Sequence, residues 1–231
     1  MLKVLSFLVT SLGFLSACSH TTSHTASNQG MVCIAPNIYV DSEMSAQQRQ
    51  QFLQTVKQSK AEISHFFGGM KSSPDIYACT TKPCFSKFGG VPAKAKSIDD
   101  KKVLLSSRGL DKTTLTHELA HIELHKRLGS RKVWNKIPMW FDEGLAVMAC
   151  KDTRYAKSVP MMPLSELVSQ DQWVSAVRSN KPAYSVAKQA VEAWYNNAGA
   201  KGLKLMVTRM QQGQSFSQGS RLNAKVQVTG L

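Results

Sequence analysis

Apolar residues recur at helical spacing in one long segment and cluster in short runs elsewhere, and this pattern predicts the first elements of the chain. Residues 45–67 contain no Gly or Pro, and their apolar positions repeat about every third or fourth residue until Gly68, which indicates an amphipathic helix against the core. Three short apolar runs predict strands at residues 32–40, 75–80 and 102–107. The first contains a proline and is predicted to be an edge strand.

The second half of the chain is predicted to be mainly helical. A helix starts after Asp111, a residue type suited to the N-cap, and ends near Leu128, because Gly129 follows. Pro138 opens another helix that continues to Cys150. Further helices are predicted at residues 164–169, 185–197 and 203–211. Strands and one helix followed by mostly helices indicate an α+β domain with a small N-terminal mixed sheet.

Two histidines, His117 and His121, stand four positions apart on the helix predicted after Asp111. At that spacing both imidazoles lie on one helix face, one turn apart, and can bind a single Zn²⁺ ion. The carboxylate of Glu118 then lies close to the metal, where it can accept a proton from a zinc-bound water. A catalytic zinc site needs a third protein ligand, and Glu143 on the following helix is the candidate.

These motifs together resemble those of the gluzincin metallopeptidases, the thermolysin-like branch of the zincins. His117-Glu-x-x-His121 is followed one helix later by Pro-x-Trp-Phe-x-Glu-Gly-Leu-Ala, which is particularly similar to the peptidase MA-like members. The resemblance covers about residues 111–213. It implies a zincin-like fold, with His117, His121 and Glu143 as the zinc ligands, Glu118 as the general base, and peptide-bond hydrolysis as the reaction.

Four residues near the motif bear on the type of zinc site and on how its histidines are oriented. The metzincin alternative would need a third histidine at position 127, which is Arg127. His125 lies one turn beyond the histidine pair and is expected on the surface or behind the ligands. Glu123 and Asp142 could each orient an imidazole through its second nitrogen, as metal-bound histidines usually require. The sequence does not choose between these two, and both could instead be solvated.

The resemblance also implies a group that stabilises the oxyanion formed when a peptide carbonyl is attacked. Gluzincins often supply a Tyr or His from a downstream helix, and Tyr184, at the start of a predicted helix, resembles that residue. A purely structural tyrosine is the alternative. The strand predicted at residues 102–107 would, by the same resemblance, be the edge that pairs with an extended substrate.

The N-terminus predicts export. A short basic start is followed by an apolar run over residues 4–15, and the segment Leu-Ser-Ala-Cys ending at Cys18 resembles the lipobox of bacterial lipoproteins. We therefore expect a signal peptide at residues 1–17, a lipidated Cys18, a flexible tether at residues 18–30, and one peptidase domain at residues 31–231. The expected location is the outer membrane, facing the periplasm. Cleavage by the ordinary signal peptidase is the alternative.

Export would expose the other four cysteines to an oxidising compartment. Cys79 and Cys84 flank a short loop that contains a proline, which favours a disulfide between them, with Cys33 and Cys150 as a second, long-range pair. A metal site built from these cysteines is the rival interpretation. It is disfavoured because paired Cys-x-x-Cys spacings are absent from the sequence.

The formal net charge of +14 narrows the class of partner. Basic residues are dispersed and no nucleic-acid motif accompanies them, so nucleic acid is not expected as a partner. Anionic lipid or an acidic cell-wall polymer fits better, with a generally solvated basic surface as the alternative. The sequence thus predicts a zinc-dependent envelope peptidase acting on a peptide or protein. The alternatives are a non-catalytic zincin-fold lipoprotein, serving as a binding or assembly module, and an accidental motif.

Overall fold

A computed structural model of the protein describes residues 30–221, which form an α+β fold. The predicted signal peptide and the predicted lipidation of Cys18 lie outside these residues. The strands are β1 (Met31–Ala35), β2 (Ile38–Asp41), β3 (Asp75–Ala78), β4 (Ala95–Ile98) and β5 (Lys102–Leu105). The helices are α1 (Ala46–Phe67), α2 (Lys82–Lys87), α3 (Lys112–Leu128), α4 (Ser130–Lys136), α5 (Met139–Cys150), α6 (Gln170–Arg178), α7 (Ala183–Gln211) and α8 (Phe216–Gly219).

The five strands form one mixed sheet in the order β1-β2-β3-β5-β4. The two inner pairs, β2 with β3 and β3 with β5, are parallel, and the outer strands pair antiparallel with their neighbours. The single edge strand predicted for residues 32–40 is wrong, because the chain reverses there into the β1–β2 hairpin. Asn37 adopts a left-handed conformation with φ 62° at the reversal, which asparagine tolerates better than most residues.

The edge of the sheet nearest α3 is β4, a strand that the sequence did not predict. β5 covers most of the predicted strand at residues 102–107, but it lies between β3 and β4 and has both sides paired. The expectation that this segment is the substrate-pairing edge is therefore wrong. Because β4 pairs antiparallel with the outer side of β5, β4 forms the edge of the sheet.

The predicted long helices are confirmed, and their ends follow the local chemistry. Ser45 caps α1 in a capping box with Gln48, and Gly68 ends the helix in the left-handed conformation. At the start of α3, Asp111 accepts a hydrogen bond from the backbone N–H of Thr114, 2.8 Å away. Within residues 30–221, no helix combines the length and the apolar character needed to cross a membrane.

The C-terminal helices begin and end at residues other than those predicted. The segments predicted at residues 185–197 and 203–211 both belong to α7, which is interrupted by a non-helical conformation at Gly199. The helix predicted at residues 164–169 is a short 3-10 helix, Leu164–Leu167. The sequence missed α6, whose Trp173 and Ala176 are buried beside the start of α7.

The two faces of the sheet pack against different partners. Alternate residues of β2, β3 and β5 join α1, α3, α5 and α7 in the main core, and the others form a smaller cluster with α2. Cys79 and Cys84 form the predicted disulfide, which also rules out the four-cysteine metal site. The predicted Cys33–Cys150 bond is wrong: Cys33 packs on the smaller cluster, whereas Cys150 is a buried free thiol at the end of α5, on the other face.

Close packing of α5 against α7 depends on Gly144. A methyl group at this position would stand 2.4 Å from the carbonyl oxygen of Ala187 and 2.8 Å from Cγ2 of Val191, both on α7. Real carbon atoms do not approach this closely, so any side chain here would push the two helices apart. Since α5 carries Glu143 and α7 carries Tyr184, this glycine sets the distance between them.

We expect Gly144→Ala to lower the free energy of unfolding by at least about 1 kcal/mol, because overpacking costs ~1–3 kcal/mol and outweighs the better helix propensity of alanine. Denaturant unfolding measures the change. Ser175→Ala, at an exposed position of α6, is the control and should change stability by no more than about 0.5 kcal/mol. An unchanged or raised stability for Gly144→Ala would contradict the close packing.

Candidate metal centre

Three side chains from two neighbouring helices converge on one point. Nε2 of His117 and Nε2 of His121 are 3.2 Å apart, and Oε2 of Glu143 lies 3.4 Å from the first and 3.8 Å from the second. Around a tetrahedral zinc ion, bonds of about 2.0–2.1 Å place neighbouring ligand atoms roughly 3.3 Å apart. The spacing of these three atoms therefore fits coordination of a single ion.

A bound cation would stabilise the buried carboxylate of Glu143. Its Oε2 atom is buried and makes no hydrogen bond with residues 30–221, although the two imidazole nitrogens lie 3.4 and 3.8 Å away. A buried carboxylate oxygen without a partner is costly, and such atoms are rare in folded proteins. An ion held between Glu143, His117 and His121 would supply the missing interaction, so the residues present fit a bound metal.

Asp142 orients one of the two histidines from behind. Its Oδ1 accepts a hydrogen bond from Nδ1 of His121 at 2.8 Å, and both side chains are buried. In the neutral imidazole that binds a metal, this bond leaves the lone pair on Nε2 of His121, the atom closest to Glu143 and His117. A carboxylate behind a metal-binding histidine fixes the tautomer and raises the basicity of the ligand.

Glu123, the other candidate for that role, stabilises the fold instead. Its fully buried carboxylate accepts hydrogen bonds from the backbone N–H groups of Lys71 and Ser72 and from Nε of Arg127, the last at 2.7 Å. Arg127 in turn donates to the carbonyl oxygen of Gly69. The residue that excluded the metzincin pattern is thus half of a buried ion pair that ties α3 to the segment after α1.

The other histidine, His117, has a neighbour that was not predicted from the sequence. Cys150, the thiol predicted to form a disulfide, lies close enough to raise the pKa of His117, and its Sγ donates a hydrogen bond to the carbonyl oxygen of Val147, 3.4 Å away. Cys150 lies about two helical turns beyond Glu143 on α5, so the helix with the candidate third ligand also supplies this neighbour. Only the cysteine's position at the end of this helix could have signalled such a role.

Charges around the centre favour protonated imidazoles when no metal is bound. Burial lowers the pKa of His117, but the neighbouring Cys150 side chain and the negative charges of Glu143 and Glu118 outweigh it and hold the pKa well above the usual value. For His121, burial is outweighed by the charge of Asp142, which raises the pKa to about 9. Burial raises the pKa of Asp142, yet the neighbouring His121 lowers it overall. Metal binding would displace these protons and would weaken as the pH falls.

Glu118 and Tyr184 face the space beside the convergent atoms. Both line the same recess as His117, and the ring centroids of Tyr184 and His117 are 6.5 Å apart. Tyr184 is held by stacking on Tyr155 at 5.1 Å and by an edge contact with Trp173 at 4.9 Å. Burial raises the pKa of Tyr184, so its hydroxyl keeps its proton at neutral pH and can donate a hydrogen bond.

His125 lies outside the ligand group, as the sequence predicted, although it is buried rather than on the surface. Its Nδ1 is 3.0 Å from Oγ of Ser130, and its ring makes an edge contact with Trp134 at 5.0 Å. Burial lowers the pKa of His125, which keeps the imidazole neutral at neutral pH. Its contacts are therefore those of a residue that supports the wall of the site.

The centre opens into a cleft of about 710 Å³ between β4 and α6. Its walls include three of the most exposed large apolar side chains among the described residues: Val91, Trp134 and Val177, which are 48%, 57% and 38% exposed. The cleft shares His117, Glu118 and Tyr184 with a smaller recess, which is also lined by Asp152, Arg154 and Tyr155. No role was predicted from the sequence for the three apolar residues or for Asp152, Arg154 and Tyr155.

Comparisons with protein-family models, with curated proteins and with solved structures found no significant match to this chain. The functional interpretation therefore depends on the geometry of the centre and on the resemblance of its two motifs.

Proposed function

We propose that this protein is a zinc-dependent peptidase with a zincin-like fold. The observation that carries the proposal is the convergence of His117, His121 and Glu143, whose ligand atoms stand 3.2–3.8 Å apart beside an open cleft. Glu118 lies on the cleft side of this group, where a general base is needed. A purely structural zinc site has four protein ligands and no use for a base, whereas three ligands leave a position for water.

The arrangement of elements also supports the zincin-like fold. The helix with both histidines, α3, lies beside the strand pair β4–β5, and the helix with the third candidate ligand, α5, packs directly on it. β4 is the edge of the sheet and lines the cleft. An extended peptide could add to this edge through main-chain hydrogen bonds, as in other peptide-recognition sites.

In the proposed mechanism, His117, His121 and Glu143 would hold a Zn²⁺ ion, which would supply a water with a pKa of about 7 and a Lewis acid for the scissile carbonyl. Glu118 accepts the proton from that water as it attacks the carbonyl carbon. Tyr184 donates a hydrogen bond to the oxyanion that develops there. Glu118 then delivers the proton to the leaving amine, while Asp142 holds His121 in the tautomer that presents Nε2.

The proposal includes an envelope location, with the protein anchored by lipid at Cys18 to the outer membrane and facing the periplasm. The apolar N-terminal run and the lipobox-like segment support it. The Cys79–Cys84 disulfide agrees with an oxidising compartment. The substrate would be a peptide or protein of the envelope, and the basic chain could also bind anionic lipid or a cell-wall polymer.

Removal of the metal tests the proposal directly. We expect the purified protein to contain about one zinc ion per chain and to cleave members of a mixed peptide library. Treatment with 1,10-phenanthroline should abolish cleavage, and added Zn²⁺ should restore it, with far-UV circular dichroism unchanged throughout. Metal analysis and mass spectrometry of the peptides give the two readouts. Cleavage that continues in metal-free protein would overturn the proposal.

A further inference from the structure

The walls of the cleft beside the candidate metal centre carry unbalanced positive charge. Lys94 and Lys96, in and just before β4, line one side, and Arg178, at the end of α6, lines the other. Within residues 30–221 none of these three cations forms an ion pair, although Lys112, Lys126, Lys181 and Lys188 all do. The carboxylates on the same walls belong to the metal centre, apart from Asp152.

Asp152 is itself paired, and the pair presents an arginine to the recess. Nε of Arg154 donates to both carboxylate oxygens of Asp152 at 3.0 Å, and Nη2 donates to Oδ2. Asp152 is buried and also accepts the backbone N–H of Arg154, so it is held in place. Burial raises its pKa, but the hydrogen bonds from Arg154 lower it overall, so Asp152 stays ionised.

The guanidinium of Arg154 therefore has a fixed orientation and unused donors. Its side chain is 57% exposed and lies over the ring of Tyr155, 5.3 Å from the ring centroid. Nη1 makes no hydrogen bond to the described residues. It lines the same recess as His117 and Glu118. An arginine held on one side by a carboxylate is preorganised to bind a second carboxylate with its remaining N–H groups.

These cations would dominate the potential in the cleft even with a metal ion bound. A divalent ion is offset by the carboxylates of Glu118, Asp142 and Glu143, and Arg154 is offset by Asp152. Lys94, Lys96 and Arg178 have no such partner among residues 30–221. A cleft lined by charge of one sign concentrates ligands of the opposite sign.

We propose that this cleft selects acidic peptides, with Arg154 binding a carboxylate next to the scissile bond and Lys94, Lys96 and Arg178 attracting further Asp or Glu side chains. This inference rests on the proposed peptidase function and names the substrate class of that site. Trp134 and Val177 line the larger cleft and do not line the recess that contains Arg154. The apolar part of the cleft thus remains available for an uncharged side chain on the other side of the bond.

Binding measurements separate this substrate preference from catalysis. Zinc-loaded Glu118→Gln protein is titrated with three peptides of one sequence that carry Glu, Gln or Lys at the same positions, and calorimetry gives the dissociation constants. We expect the Glu peptide to bind at least about tenfold more tightly than the Gln peptide, and the Lys peptide to bind most weakly. Raising the ionic strength should reduce these differences, because salt screens exposed charges.

Substitutions in the same Glu118→Gln background locate the binding site. Arg154→Gln combined with Lys96→Gln should remove most of the preference for the Glu peptide over the Gln peptide. When Arg154→Lys replaces Arg154→Gln in this pair, only part of the preference should return, because lysine lacks the planar guanidinium of arginine. Lys57→Gln, at an exposed position of α1 outside the cleft, is the matched control and should leave the preference intact.

Equal binding of the Glu and Gln peptides would overturn the inference. So would a preference that survives the double substitution, or binding of an acidic polysaccharide in place of acidic peptides. If the Glu peptide binds as expected but the native chain cleaves none of the peptides, the substrate-class inference gains support and the peptidase function fails. The two proposals can therefore fail separately.

Discussion

Glu118→Gln is expected to abolish peptide hydrolysis and leave the metal ion bound. The substitution preserves the size of the side chain but removes the group that accepts the water proton. General-base catalysis contributes about 10²–10⁴-fold in rate, so kcat should fall by that factor or more. His117, His121 and Glu143 are untouched, so zinc content should match that of the native chain. Single-peptide kinetics and metal analysis on the same preparation measure both quantities.

Glu166→Gln is the control for this experiment. Glu166 is exposed, pairs with Lys181 and lies outside the cleft, so its substitution should change neither kcat nor zinc content. Undiminished hydrolysis by Glu118→Gln would refute the mechanism. Bound zinc with no turnover by the native chain would instead favour the alternative of a zincin-fold binding or assembly module.

Glu143→Ala is expected to weaken zinc binding by more than about 100-fold. Loss of a partner behind a ligand typically costs 10–100-fold in affinity, and loss of a ligand itself should cost more. Bound zinc stabilises a folded protein in proportion to the logarithm of its concentration over the dissociation constant. The zinc-dependent rise in melting temperature seen with the native chain should therefore disappear. Calorimetry with Zn²⁺ and thermal unfolding with and without the ion measure these effects.

Glu192→Gln provides a matched helical control, because Glu192 is partly exposed on α7 and pairs with Lys188. It should keep both the affinity and the zinc-dependent stabilisation. If Glu143→Ala also kept the zinc affinity and the zinc-dependent stabilisation, Glu143 would not be the third ligand, and its assignment to the metal site would be wrong.

The elements best predicted from the sequence are those with strong local signals. α1 has a capping serine, an uninterrupted apolar periodicity and a terminal glycine, and its observed bounds match the prediction closely. β4 was missed because its four residues, Ala-Lys-Ser-Ile, show little alternation, and each is only half-buried at the edge of the sheet. The β1–β2 hairpin was missed because Pro36-Asn37 interrupts an otherwise apolar run. These elements depend on strand pairing, which is a non-local interaction.

The candidate centre likewise depends partly on local sequence signals and partly on non-local packing. The sequence by itself determined the histidine pair, because the spacing of four residues on a helix places both imidazoles on one face whatever surrounds them. It also determined that Glu118, the proposed base, stands next to His117. Only the tertiary structure brought Glu143 within 3.8 Å of both imidazole nitrogens, through the close contact of α5 with α3.

Tertiary packing also decided between residues that the sequence left equivalent. Asp142 accepts a hydrogen bond from His121, whereas Glu123 accepts hydrogen bonds from Arg127 and two backbone N–H groups. Cys150 lies beside His117 as a free thiol. Helical periodicity is a property of a few neighbouring residues and can be read from them. Which carboxylate or thiol meets which imidazole depends on how helices pack, and packing is set by the whole core.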